Sequence, residues 1–316
     1  RAGNWTLQAD SARIGSATVN GQVQHTLTGA LNLGQLDATG GWNLKAGRSE
    51  ITAANLGGAM SMQLHDALQL GRLTTSDRFT LQGTAAQIGH LVVGAEADLE
   101  LTGDLALQRL QAKTSLLRAG SASQLADLAI DGDLLVRVAQ DMWLQRAAVS
   151  GHADLQHTGA QGTLRVGSLD VGRTLNLQGA GHWLGDSALV QGDVSADLGS
   201  GTFGRVESAS GALRLNAGGH LAVDELHRGP VGRGFIRPGG RETQRLAGQV
   251  GRDGQRGAGH EQADRADLRG WIGAQQRAPD EVAQPHHGHD RIEEHEPAAP
   301  CRVEDRYQER VRSFDD

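Results

Sequence analysis

Short stretches of this chain lie over one another at a fixed interval. Asn4-Trp5-Thr6-Leu7-Gln8-Ala9 matches Gly41-Trp42-Asn43-Leu44-Lys45-Ala46 and Arg78-Phe79-Thr80-Leu81-Gln82-Gly83. Further copies are Thr174-Leu175-Asn176-Leu177-Gln178-Gly179 and Ala212-Leu213-Arg214-Leu215-Asn216-Ala217. Leu7, Leu44 and Leu81 are spaced by 37 residues, and Leu177 and Leu215 by 38. Looser copies surround Leu116 and Leu144. Self-similarity at a fixed period is the signature of a solenoid, in which each unit buries its apolar face only against its neighbours.

The match continues around the anchor leucines. Seven residues beyond them come Ile14, Ile51, Ile88 and Leu184, then Val19, Leu56, Val93 and Leu189. Ahead of them, Leu31-Asn32-Leu33-Gly34-Gln35-Leu36 pairs with Leu68-Gln69-Leu70-Gly71-Arg72-Leu73 and Leu164-Arg165-Val166-Gly167-Ser168-Leu169. Apolar and polar residues alternate in each run, and Gly, Asp, Ser or Asn interrupts them. That pattern predicts short strands joined by turns. No helical periodicity competes over residues 1–226.

A 37-residue unit carries more strands than a hairpin can use. It suits two turns of a parallel β-helix, about 19 residues each with about three strands per turn. About twelve turns stacked at the ~4.8 Å strand spacing give a shaft roughly 55–60 Å long. The expected interior ladder is Trp5, Leu7, Trp42, Leu44, Phe79, Leu81, Leu175, Leu177, Leu213 and Leu215, with Met142 stacked among the aromatic positions.

Beyond Leu226 the texture changes. All six prolines, 15 of the 28 arginines and only two leucines (Leu246 and Leu268) lie there. Proline removes the N–H that a stacked ladder needs, so residues 227–316 are expected to leave the shaft. The segment reads either as a polar, low-order extension or as an out-of-frame translation of G+C-rich DNA, with the abrupt break favouring the second. A few helical turns are conceivable near Gln262–Gly273 and Val303–Ser313. The chain starts inside a repeat, without a leader or an initiating Met, and reads as a fragment of a longer protein.

Composition narrows the function classes. The net charge of −7 opposes a nucleic-acid footprint, which needs a basic face. The 15 arginines of the last 90 residues are balanced by 16 acidic residues. Cys301 is the only cysteine, which excludes an intramolecular disulfide framework and leaves that thiol without an evident partner. No stretch reaches the ~18 apolar residues of a membrane helix.

The candidate chemistry is thin. His286-His287-Gly288-His289-Asp290, with Glu293, Glu294, His295 and Glu296, has ligand-type side chains but no paired-ligand helical spacing. Asp131-Gly132-Asp133, Asp193 and Asp197 lack the in-register Gly-Gly-x-Gly-x-Asp of a calcium β-roll and read as turn residues. His152 and His157 read as outward polar residues. Asp37, Asp170 and Arg72 sit at nearly equivalent repeat positions, as in β-helical polysaccharide lyases, but the rest of such a site is missing. With 3% aromatics, sugar-stacking platforms are scarce. Gly232-Arg233-Gly234 lacks the Lys-Ser/Thr of a phosphate loop. No cofactor is expected, and the chain is not expected to be an enzyme.

The Leu-x-Leu-Gly-x-Leu and Leu-Gln-Ala/Gly units of residues 1–226 resemble the repeats of filamentous-haemagglutinin-type exoproteins, bacterial adhesins exported by two-partner secretion. The resemblance implies a right-handed parallel β-helix shaft, secreted or cell-surface localisation, an outer-membrane transporter as export partner, and host-cell or sister-cell receptors or glycans as binding partners. It carries no catalytic residue over. The stalks of contact-dependent growth-inhibition toxins have similar repeats and form the alternative reading. A lipid-groove envelope protein would need a continuous apolar groove and an anchor, and the sequence offers neither.

Overall fold

The computed structural model describes residues 3–229 and the backbone of the strand Gly234–Pro238. The chain divides into two units, Arg1–Arg252 and Asp253–Asp316. The second unit, with the His286–Glu296 cluster, Cys301 and both conceivable helical stretches, lies outside the described residues.

The described residues are all-β and contain no helix. They form a parallel β-solenoid of about twelve coils. The first strands set the pattern: β1 (Trp5–Ala9), β2 (Ala12–Val19), β3 (Val23–Leu27) and β4 (Leu31–Ala38). β1 pairs with β3 and β2 with β4, so each strand stacks on its counterpart one coil later rather than on its chain neighbour. Partners along the chain lie 18 or 19 residues apart in most coils, as Trp5↔Val23 and Val23↔Trp42 show.

The eight-residue strands bend. In β4 the buried residues are Leu31, Leu33, Leu36 and Ala38, so the inward alternation slips by one after Leu33. The ladder registers the same corner, running from Ile14↔Leu33 to Ser16↔Gln35 without a Gly15↔Gly34 bridge. Two adjacent outward residues turn the backbone, and each coil therefore has three faces. The five-residue strand makes the first, and the two halves of the long strand make the second and third.

Stacking turns the sequence pattern into columns. On the first face one inward column runs Trp5, Val23, Trp42, Met60, Phe79, Ala97, Ser115, Leu134, Ala153, Leu175, Val194, Leu213. The next inward column holds Leu7, His25, Leu44, Met62, Leu81, Leu99, Leu117, Val136, Leu155, Leu177, Ala196 and Leu215. Trp5 and Leu7, in the first coil, are half-buried. From Trp42 onward the expected ladder residues are at most 4% exposed. Burying each such side chain is worth about 1.5–3 kcal/mol. Ser49, Ser115 and Ser123 interrupt the columns with buried hydroxyls that have no hydrogen-bond partner among the described residues.

Three expectations are corrected. Met142 belongs to the second face, between Ser123 and Leu164, and not to the aromatic column of the first. Leu184 and Leu189 do not continue the Ile14 and Val19 columns, and Leu189 is exposed. Trp183, Gly185, Ala188 and Val190 take the inward ladder positions there. The cause is local: Leu177 keeps its column, but the Ile14 column is reached eight residues later at Gly185 rather than seven, and the ladder to the next coil shifts register between Gly179 and His182.

The third correction concerns the end of the shaft. The ladder passes Leu226 to Arg228, and Gly234–Pro238 pairs in parallel with Leu213–Ala217. The proline enters only as the last residue of its strand, opposite Ala217, where it interrupts no later pairing in that strand.

Candidate functional site

Several turn carboxylates cap the backbone of the following coil. Asp133 Oδ1 accepts from the His152 N–H at 2.8 Å, Asp193 Oδ1 from the Ala212 N–H at 2.6 Å, and Asp141 Oδ1 from the Thr163 N–H at 2.8 Å. Each caps the backbone at the start of a strand one coil later, a local bond that Asp and Asn favour at turns. Asp197 faces outward on the first face, beside Gln178 and Asn216. Among the described residues no three His, Cys, Asp or Glu side chains come together as a metal site.

Asp37 and Asp170 do share one outward column of the third face, but many coils separate them. Arg72 sits in the neighbouring column, beside Ala53 and His90. The three do not meet. Asp37 instead accepts from Asn55 Nδ2 and Gln35 Nε2, both at 2.8 Å.

Arg72's column is the most charged one. It continues through His90, Arg109, Asp127 and Arg146. Asp127 accepts from both flanking guanidiniums, at 3.3 Å from Arg109 Nε and 3.0 Å from Arg146 Nη2. Asp98, on the first face, is held above the usual carboxylate range, first by burial. Arg118 opposes the shift, and Glu96 and Glu100 add to it.

Two histidines face the interior. His152 is exposed and bonds the Thr174 hydroxyl, but His157 is buried, against expectation. It continues an inward column, between Val138 and Gly179, at the inserted turn. Gly179 has a positive φ of 145°, and a Cβ there would collide with the His157 backbone and Cβ. His25 is fully buried between two indoles, 4.4 Å from the Trp5 ring and 5.6 Å from the Trp42 ring, edge-on to both. Among the described residues neither His25 ring nitrogen finds a hydrogen-bond partner, and the His157 ring has only the Gln140 backbone close by, without good hydrogen-bond geometry. Burial lowers the pKa of His25 to about 4 and pushes that of His157 down as well, the latter opposed by the Gln140 backbone and Asp141.

Two open troughs on the second face meet at Trp143 and Gln145. The upstream trough, about 210 Å³, is lined by Gln87, Gln108 and Gln124 over a floor of Ala106 and Ala126. The downstream one, about 760 Å³, carries Arg165, Ser168, Asp186, Ser187, Thr202 and Asp224 around Gly167, Gly185 and Gly204. Trp143 is 52% exposed. Sequence reading passed over it because it sits inside a repeat copy, and only the outward phase of position 143 marks it. Comparison with protein-family models, curated proteins and solved structures finds no match for this chain.

Proposed function

We propose that the chain is a shaft segment of a secreted or cell-surface bacterial adhesin. The observation that carries the reading is the continuous parallel ladder from Trp5 to Arg228, whose interior is filled by side chains and whose outer faces carry shallow, open troughs. Stacked coils give stiffness along the axis, because each coil contributes its backbone groups to both neighbours. The work of such a shaft is geometric. It spaces a binding region from the cell and offers long outward columns to host cells, sister cells or glycans. Export through an outer-membrane two-partner-secretion transporter belongs to the same proposal, and so does the absence of catalysis.

The test is adherence. Beads coated with the full chain are expected to bind epithelial cells or bacteria more than albumin-coated beads do, with soluble chain competing. Adherence no better than the albumin control on either cell type would overturn the reading.

A further inference from the structure

We propose that the trough centred on Trp143 is a binding site for a neutral oligosaccharide. The proposal rests on the adhesive reading, but names a site and narrows the glycans of that reading to neutral chains.

Trp143 stands outside the buried core. Trp42, Phe79, Trp183 and Phe203 are buried and Trp5 is half-buried, so Trp143 is the only strongly exposed aromatic among the described residues. Its ladder partners are Gln124 and Arg165, both exposed. An indole displayed on a sheet face presents a flat apolar platform, which the C–H face of a sugar ring covers.

The surroundings select the ligand. No charged residue lines the upstream trough. Gln87, Gln108, Gln124 and Gln145 are all exposed there, and among the described residues none of their amides makes a protein hydrogen bond. A primary amide offers two donors and an acceptor on one group, which matches vicinal hydroxyls and not a string of anions. Of the basic residues nearby, Arg109 and Arg146 are engaged by Asp127 in the next column, and Arg165 belongs to the downstream trough, where Asp186 and Asp224 offset its charge. A peptide strand is disfavoured, because strand addition needs a free edge and this is the face of a paired sheet.

The length fits a chain rather than a monosaccharide. Gln87, Ala106, Gln124, Trp143, Arg165, Leu184 and Thr202 follow one another in a single outward column. At the ~4.8 Å coil spacing that column runs for about 30 Å. Alanine and glycine line the troughs and leave the floor open.

The experiment is calorimetric titration of the full chain with cellohexaose, xylohexaose, mannohexaose and maltohexaose, with heparin as the charged comparison. Saturable binding of at least one neutral hexasaccharide is expected. Trp143→Ala should weaken it about tenfold or more, and Trp143→Phe should keep it within about threefold. The Gln124→Ala/Gln145→Ala double variant should weaken it severalfold. Because Trp143 lies outside the core, the alanine variant should unfold at the parent's temperature. Failure of all four sugars to bind, binding unchanged in Trp143→Ala, or binding of heparin alone would each overturn the site. Bead adherence that survives Trp143→Ala sinks the site and leaves the adhesive reading standing. Sugar binding without bead adherence does the reverse.

Discussion

The ring of Phe203 lies over Gly185, its ladder partner one coil earlier. A Cβ on Gly185 would press into the ring edge, 2.9 Å from Cε1 and closer still to Cδ1. The neighbouring column shows the opposite order, with Trp183 inward and Gly201 one coil later. Large and absent side chains therefore alternate along a diagonal of the interior, and volume is conserved across two coils rather than at each position.

Gly185→Ala is accordingly expected to lower stability by about 1–3 kcal/mol, since the aromatic ring has little room to retreat. Combined with Phe203→Leu, the loss should be smaller than the sum of the single losses. Urea midpoints across the double-mutant cycle measure the coupling.

Leu81 lies at the centre of the first face, with Met62 and Leu99 as partners and no exposure. Leu81→Asp should unfold the neighbouring coils, because an unpaired buried carboxylate costs several kcal/mol. Amide exchange is the readout. Protection should collapse from about Met60 to Leu99 first and spread outward, while a thermal melt identical to the parent's would refute the register.

How much of this was legible in the sequence follows from the columns. The leucines stand out because Leu7, Leu44 and Leu81 recur in every second coil, while His25 and Met62 occupy the same column between them. A polar residue at an inward position breaks the apolar pattern, so His25 reads as surface until the flanking indoles are seen. Leu184 falls out of its column because one extra residue between Leu177 and Gly185, at the Gly179–His182 irregularity, moves the frame without altering the local texture. Trp143 looks like any other tryptophan in a strand, and only the parity of its position reveals that it faces out.

Acid should loosen the shaft through His25. An unfolded histidine titrates near 6.5, the buried one near 4. Between those values the unfolded chain holds more protons, so stability rises with pH. The contribution is complete above about pH 6.5 and is lost progressively as pH falls towards 4, at up to about 1.4 kcal/mol per unit. His25→Leu extends the leucine column and should flatten this slope. Melting temperatures at pH 7 and pH 5 for parent and variant give the comparison, and an unchanged slope would exclude His25 as the cause.

The Arg109–Asp127–Arg146 bridge should matter little to folding. All three groups keep contact with solvent. Asp127→Asn is expected to cost less than about 1 kcal/mol, with the difference shrinking as salt rises. Urea titrations at low and high ionic strength measure it.

The first-face column Trp5, Val23, Trp42, Met60, Phe79, Ala97 alternates bulky with leaner residues from coil to coil. Removing one coil by excising Val23–Gly41 would set Trp42 directly on Trp5, without the valine between them. Removing two would set Phe79 or Trp42 again next to a leaner partner. Such a shaft can lengthen or shorten smoothly only in pairs of coils. The sequence therefore repeats at twice the interval of the backbone, and the module by which a longer relative could grow is the double coil.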